Sequence, residues 1–295
     1  MSAVDVIIIG SGPAGVSAAL YTRRAGLNTL IIGRDSGSLA KADKIENYYG
    51  FSEPVSGIQL INSGIAAAKR IGVNIISDEV VSIQYNGYFT VKTKMLEVLA
   101  TCVVIATGSS RKAPKIEGLE RFEGRGVSYC AVCDGFFYRG KDVCVIGEGS
   151  FALHEAEELK AVARSVTLLT NGAVTTSNIP EGISVRTDRI HSISGDETVE
   201  EVIFMDGTTV KTNGVFIALG VAGSTDLARQ VGAATEAGKI IVDENMATNV
   251  PGLYAAGDCT AGMLQVAKAV YEGAKAGTEV IKFVRNNAAG KSERA

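Results

Sequence analysis

The chain has 295 residues, 46% hydrophobic and 21% charged, with a formal net charge of −3. That is apolar material for one large or two medium domains, and it excludes wholesale disorder. The charge balance leaves no electrostatic footprint for nucleic acid, and no apolar run reaches the roughly 18 residues that would span a bilayer.

Residues 1–10 read as a short strand. They lack the basic leader and small-residue cleavage site of a secretory signal, so a cytoplasmic location is expected. The five cysteines, Cys102, Cys130, Cys133, Cys144 and Cys259, are odd in number and sparse. This argues against a secreted disulfide framework. Cys102, Cys144 and Cys259 stand among apolar or small residues and read as buried thiols.

In chain order, Val4 to Ile9 is a β-branched run typical of a buried parallel strand. It leads into Gly10-Ser11-Gly12-Pro13-Ala14-Gly15, then a helical pattern ending near Gly26, then a strand at Leu30-Ile31-Ile32. This βαβ arrangement is a dinucleotide-binding signature. The glycines allow a tight turn, close approach of a pyrophosphate and helix-on-strand packing, while the helix start supplies free N–H groups. A ribose-binding carboxylate is expected about 20 residues beyond the glycines. Asp35 is either that group or an ordinary loop carboxylate.

Residues 56–72 predict a helix with Ile58, Leu60, Ile61, Ile65, Ala68 and Ile71 on its apolar face. Alternating runs from Val73 to Leu99 suggest a small antiparallel sheet turning at Asn86-Gly87. Val103 to Gly108 is another buried strand ending in a small-residue turn, and Arg111 to Pro114 looks like a hinge.

Cys130-Ala131-Val132-Cys133-Asp134-Gly135 comes next, two thiols suited to disulfide exchange or to metal ligation. A second βαβ pattern follows: strand Val143 to Ile146, turn Gly147-Glu148-Gly149-Ser150-Phe151-Ala152, helix 152–164 and strand Val166 to Leu169. Val215 to Gly220 repeats the part played by 103–108, so the architecture is internally duplicated. Ile240-Ile241-Val242, Ala255-Ala256-Gly257-Asp258, a helix from about Leu264 to Phe283 and a polar, frayed tail complete the chain.

Five of these stretches, in this order, resemble the low-molecular-weight thioredoxin reductase family along nearly the whole chain. They are Gly10 to Gly15, Ile45-Glu46-Asn47, Ala106-Thr107-Gly108, Cys130 to Gly135 and Ala255 to Asp258. The resemblance implies an α/β fold of two Rossmann-like dinucleotide-binding domains, the second inserted into the first. The FAD domain would be 1–112 and 242–295. The inserted NAD(P)-binding-like domain, 113–241, would carry the redox disulfide. FAD would be held by Gly10, Ser11, Gly12, Pro13, Ala14 and Gly15, with Gly33, Arg34, Leu39, Asn47, Ala106 and Gly108. Gly257 and Asp258 would meet its ribityl or phosphate region, and Gln265, Val266 and Ala267 its ring. A homodimer is implied, and 111–118 and 238–246 are candidate hinges.

Zinc needs about four ligands. The chain has only two histidines, His154 and His191, and no second Cys-x-x-Cys, so no metal is expected. A redox disulfide fits the spacing and the family. The family's pattern makes Cys133 the thiol that receives electrons from the flavin. It makes Cys130 the thiol that attacks a thioredoxin-like partner's disulfide. Asp134 would move the exchanged protons or, alternatively, cap a helix.

The inserted domain departs from that pattern. NADPH-dependent members carry G-G-G-D-S-A in the second turn and an H-R-R cluster after the next strand. Here the turn contains Glu148 and Phe151, the cluster is Thr170-Asn171-Gly172, and no Lys or Arg lies between Arg164 and Arg186. Each lost charged contact to a 2′-phosphate removes on the order of 1.5–3 kcal/mol. Glu148 adds repulsion of about 1–4 kcal/mol at contact distance. In losing these motifs the chain resembles the ferredoxin-dependent flavin thioredoxin reductases, and ferredoxin is the expected donor. Arg23, Arg24, Lys41, Lys44, Arg111 and Lys112 are candidates for a docking face, or simply solvated charges. The alternatives are an NADPH-dependent reductase using Arg186 or Arg189, and a flavin-bound redox sensor without turnover.

Overall fold

The computed structural model describes residues 3–108, 115–174, 178–220 and 222–292. Strand β1 (Ala3–Ile9) leads through helix α1 (Pro13–Arg24) into β2 (Thr29–Gly33). The strands pair in parallel, Ile7 opposite Leu30 and Ile9 opposite Ile32. Helix α2 (Gly57–Arg70) follows. It opens with a capping box in which Gln59 N donates to Ser56 Oγ at 3.3 Å and Ser56 N donates to Gln59 Oε1 at 3.1 Å. Of its expected apolar face, Ile61 and Ala68 are buried, whereas Ile58 is 41% exposed.

The antiparallel pairing expected over 73–99 forms, but as part of the main sheet and without its first strand. Strand β3 (Asn74–Ser77) adds in parallel to β2, and β4 (Val80–Tyr85) and β5 (Phe89–Thr93) join the same sheet through β6 (Glu97–Ile105). The order is β3-β2-β1-β6-β5-β4. The physical reason is the nine-residue length of β6. Its first half pairs with β5, its second half has a different partner on that edge, and β1 follows its other edge from Leu99 to Ile105. The Asn86-Gly87 turn forms as expected, with Gly87 at φ +80°.

The central segment builds a second sheet. It comprises β7 (Val127–Ser128), the one-turn helix α3 (Ala131–Asp134), β8 (Asp142–Ile146), α4 (Ser150–Lys160), β9 (Ser165–Leu169) and β10 (Ile183–Arg186). A three-stranded antiparallel sheet absent from the sequence reading comes next, β11 (Ile190–Ser194), β12 (Glu201–Phe204) and β13 (Thr209–Lys211). Strand β14 (Gly214–Ile217) then returns to give the parallel order β10-β9-β8-β14-β7.

The chain divides into two units, Met1–Ser110 with Gly223–Ala295, and Arg111–Ala222. The second crossing therefore falls at 222/223 and not at 241/242. Helix α5 (Ser224–Gln230) packs on β4, and Ile83 N donates to Gln230 Oε1 at 2.9 Å. Strands β15 (Thr235–Glu236) and β16 (Lys239–Ile240) follow, and Ile240 N donates to Cys259 O at 2.8 Å. The expected hinge at 238–246 is thus tied into the first unit. The other, at 111–118, lies partly outside the described residues, as do Arg111 and Lys112 of the proposed basic face. Strand β17 (Leu253–Ala255) pairs with the second half of β6.

The last helix, α6 (Val266–Ser292), runs well past the expected end at Phe283. Once a long helix exists, each added residue costs little, and Ala288 and Ala289 are strong helix formers. Helix α6 lies against α1 through small residues. A Cβ at Gly273 would stand 2.1 Å from Ala14 O, and one at Gly277 2.8 Å from Ala18 O. Ser17 Oγ donates to Val270 O at 2.7 Å across the same contact. Gly273→Val should therefore destabilise the protein by about 2–4 kcal/mol, since overpacking against backbone cannot relax by rotamer change. A denaturant midpoint within error of wild type would contradict that contact.

Candidate active site

The first unit gathers one group of predicted residues at the C-terminal ends of its parallel strands. Gly10 takes φ +113°, and a Cβ there would meet Ala106 O at 2.3 Å. A Cβ on Gly15 would reach Gly10 O at 1.9 Å, and one on Gly33 would reach Ser11 Oγ at 2.4 Å. Gly10, Ser11, Ala106 and Gly33 are thus pressed into one compact turn. By contrast, among the described residues nothing lies within 4 Å of a Cβ at Gly12, and no side chain caps α1. Open space therefore faces the free N–H groups at the start of a 12-residue helix, which fits a dinucleotide pyrophosphate.

Gly257, at φ +86°, is packed onto this turn, and a Cβ there would meet Ala14 Cβ at 2.9 Å. Asp258 follows, with its carbonyl accepting from Lys239 Nζ at 2.5 Å. Asn47 Nδ2 donates to Gln265 Oε1 at 3.0 Å, joining two more predicted residues beside Val266 and Ala267 at the start of α6. Gly108 follows β6 by three residues and takes φ +80°. Leu39, far earlier in the chain, packs against the start of α2, its carbonyl 1.8 Å from where a Cβ on Gly57 would stand. Arg34 pairs with Asp35, whose other oxygen accepts from Gly37 N at 2.8 Å. Asp35 therefore shapes its own turn. The residues present fit FAD. An open pocket of about 590 Å³, lined by residues of 50–63 including Phe51, Gln59 and Asn62, contains none of the predicted residues.

The second unit holds the cysteine pair. Cys130 and Cys133 form a disulfide with Cα atoms 5.3 Å apart. Cys130 caps α3, and its Sγ accepts from Cys133 N at 3.2 Å. Cys130 is buried at 3% exposure whereas Cys133 is exposed. Asp134 makes no capping hydrogen bond to the turn that follows. Its Oδ2 instead accepts from Ser128 Oγ at 2.7 Å, and the same hydroxyl accepts from Cys130 N at 3.1 Å. Glu155, on α4 and 2% exposed, accepts from Ala131 N at 2.6 Å. Val132, Phe136 and Phe137, in α3 and the turn after it, are exposed apolar side chains.

Neither Ser128 nor Glu155 was marked by the sequence. Ser128 had a local signal, a hydroxyl two residues before a thiol. Glu155 is 24 residues from its partner and had none. The other thiols are buried as expected, and burial pushes Cys102 and Cys259 up to about 12 and Cys144 to about 11. They are protonated and inert at neutral pH.

The second glycine turn repeats the first with a difference. A Cβ on Gly147 would meet Ala218 O at 2.1 Å, as Gly10 meets Ala106. Gly149, however, has Gly220 O 2.9 Å from its Cβ position, where the space beside Gly12 is open. After β9, Thr170 is buried with its hydroxyl donating to Ala173 O at 2.6 Å, and Asn171 Oδ1 accepts from Ile190 N at 2.8 Å. Arg186 Nε donates to Asp188 at 2.9 Å, and its guanidinium lies 4.3 Å from the Phe204 ring centre.

Residues 4–273 match the model of the pyridine nucleotide-disulphide oxidoreductase family. A thioredoxin reductase of Aquifex aeolicus is 35% identical over 95% of this chain and 93% of that protein. The structure of an atypical thioredoxin reductase from Desulfovibrio vulgaris Hildenborough is 40% identical, covering 96% of this chain and 98% of that one at a TM-score of 0.90. A ferredoxin-flavin thioredoxin reductase from Clostridium acetobutylicum is 31% identical, covering 97% and 99%, at a TM-score of 0.70. The fold is the family's two-unit α/β Rossmann-like arrangement. The duplicated dinucleotide turns, the Cys130–Cys133 disulfide and these matches together place the chain in the pyridine nucleotide-disulphide oxidoreductase family, among its FAD-binding thioredoxin reductases.

Proposed function

We propose that this thioredoxin reductase takes its electrons from reduced ferredoxin rather than from NADPH and passes them to a thioredoxin-like protein. The observation that carries the choice of donor is the Thr170-Asn171-Gly172 segment. No Lys or Arg occurs from Ser165 to Val185. Thr170 and Asn171 spend their polar groups on neighbouring backbone, and Arg186 is already paired with Asp188. Among the described residues of this segment, Arg189 is the guanidinium left to meet a 2′-phosphate. Glu148 and the close Gly149–Gly220 approach work in the same direction.

FAD, held by the first unit, supplies the two-electron redox chemistry. The chain's residues do the exchange. In the reduced dithiol, Cys130 Sγ attacks one sulfur of the partner's disulfide, and the other partner sulfur leaves as a thiolate. Cys133 Sγ then attacks Cys130, which re-forms the internal disulfide and releases the doubly reduced partner. Asp134 carries the protons that the two sulfurs give up, with Ser128 orienting its carboxylate. Val132, Phe136 and Phe137 offer the partner an apolar rim. Assembly as a homodimer belongs to the same proposal, on resemblance.

Anaerobic bleaching of the flavin tests the donor. Reduced ferredoxin should bleach it within seconds and lead on to thioredoxin reduction. NADPH in excess should bleach it at least about 100-fold more slowly, because two lost contacts to its 2′-phosphate at about 1.5 kcal/mol each already exceed that factor. NADH has no 2′-phosphate to lose and should be slowed by Glu148 and the close Gly149–Gly220 approach alone. Rapid bleaching by NADPH would remove the ferredoxin reading. Bleaching by ferredoxin without thioredoxin reduction would favour a redox sensor.

A further inference from the structure

We propose that Lys268 and Glu272 form a buried clamp that holds the Gly257–Asp258 turn in the shape that receives the flavin dinucleotide. This rests on the reading that the turn faces FAD. The two side chains lie one helical turn apart on α6, each 9% exposed, with Nζ and Oε2 3.1 Å apart.

Glu272 Oε2 also accepts from Gly257 N at 2.7 Å and from Thr260 Oγ1 at 2.8 Å. Lys268 Nζ also donates to Gly257 O at 2.9 Å and to Thr260 Oγ1 at 2.9 Å. The N–H and the C=O of one glycine are thus both held by a single ion pair. That glycine has φ +86° and lies against Ala14 of the pyrophosphate turn, and Asp258 is the next residue.

Packing alone does not call for this pair. Burying two charges carries a desolvation cost that a hydrophobic pair of similar volume avoids, often with equal or better stability. What the charges add is direction. They aim hydrogen bonds at both polar groups of Gly257, beside the turn's own Thr260 N to Gly257 O bond at 3.0 Å. The pair is also neutral as a unit, so it shapes the turn without adding net charge beside a bound phosphate.

The test uses Lys268→Met/Glu272→Leu, which keeps the volume and leaves no charge buried alone, beside the single variants Glu272→Gln and Lys268→Met. Holoprotein is stripped of flavin and titrated with FAD, and the melting temperature is recorded with and without FAD. The double variant should melt near wild type without flavin, bind FAD at least tenfold more weakly and gain less in melting temperature when FAD is added. Binding within twofold of wild type would overturn the clamp. So would an equal drop in melting temperature with and without FAD, which marks a purely structural role. Should the single variants fail to fold, the double variant still decides the matter. Failure of the unsubstituted protein to rebind FAD would overturn the flavin reading itself, and the clamp with it.

Discussion

Cys130→Ser and Cys133→Ser should each lower thioredoxin reduction by about 10³-fold or more, since the two sulfurs act as one unit and neither can complete the exchange alone. FAD content should stay unchanged, because both cysteines lie outside the unit that carries the turn proposed to hold FAD. The two variants should differ in what they trap. Cys133→Ser leaves Cys130 to form a mixed disulfide with the partner and nothing to resolve it. Non-reducing electrophoresis should therefore show a covalent complex with Cys133→Ser and none with Cys130→Ser. The structure makes this a sharp test, because Cys130 is the buried sulfur and Cys133 the exposed one. Attack by Cys130 requires that sulfur to be uncovered when the partner docks. A complex trapped by Cys130→Ser alone would reverse the two roles.

Asp134→Asn is expected to lower turnover by about 10²–10⁴-fold, the usual worth of a positioned acid or base. The substitution keeps the shape and can keep the contact with Ser128, but an amide does not carry the proton. A second readout separates loss of charge from misfolding. Burial, and after it the Asp134 charge, holds the Tyr138 phenol above its ordinary range. A negative neighbour disfavours phenolate, so removing it should lower the Tyr138 titration, visible in the ultraviolet spectrum. Full activity in Asp134→Asn with a shifted Tyr138 would show that the carboxylate is present but not used. Ser128→Ala should give a smaller loss, since it misdirects the carboxylate without removing it.

Much of the candidate site's local geometry was legible in the sequence. The turns at Gly10–Gly15 and Gly147–Ala152 are contiguous, and each of their glycines answers a local demand: a positive φ, a close carbonyl or an open face. The Cys-x-x-Cys-Asp segment is contiguous as well. What escaped was made by contacts distant in sequence. Glu155 meets Ala131 across 24 residues, and Lys268 and Glu272 reach back to Gly257. A charged pair at i, i+4 among Val266, Ala269 and Ala276 was a faint clue to the latter, since it interrupts an apolar face.

The sequence by itself determined the two dinucleotide units, their order, the redox-active pair and the loss of the basic cluster. All of these rest on local spacing and backbone freedom. Tertiary structure alone decided that residues 223–241 belong to the first unit, that residues 74–93 extend the main sheet and that Asp134 turns to Ser128 instead of capping a helix. Short segments of this kind carry too little periodicity to choose a partner. Packing chooses it for them, through the reach of β6 and the contact of α5 with β4.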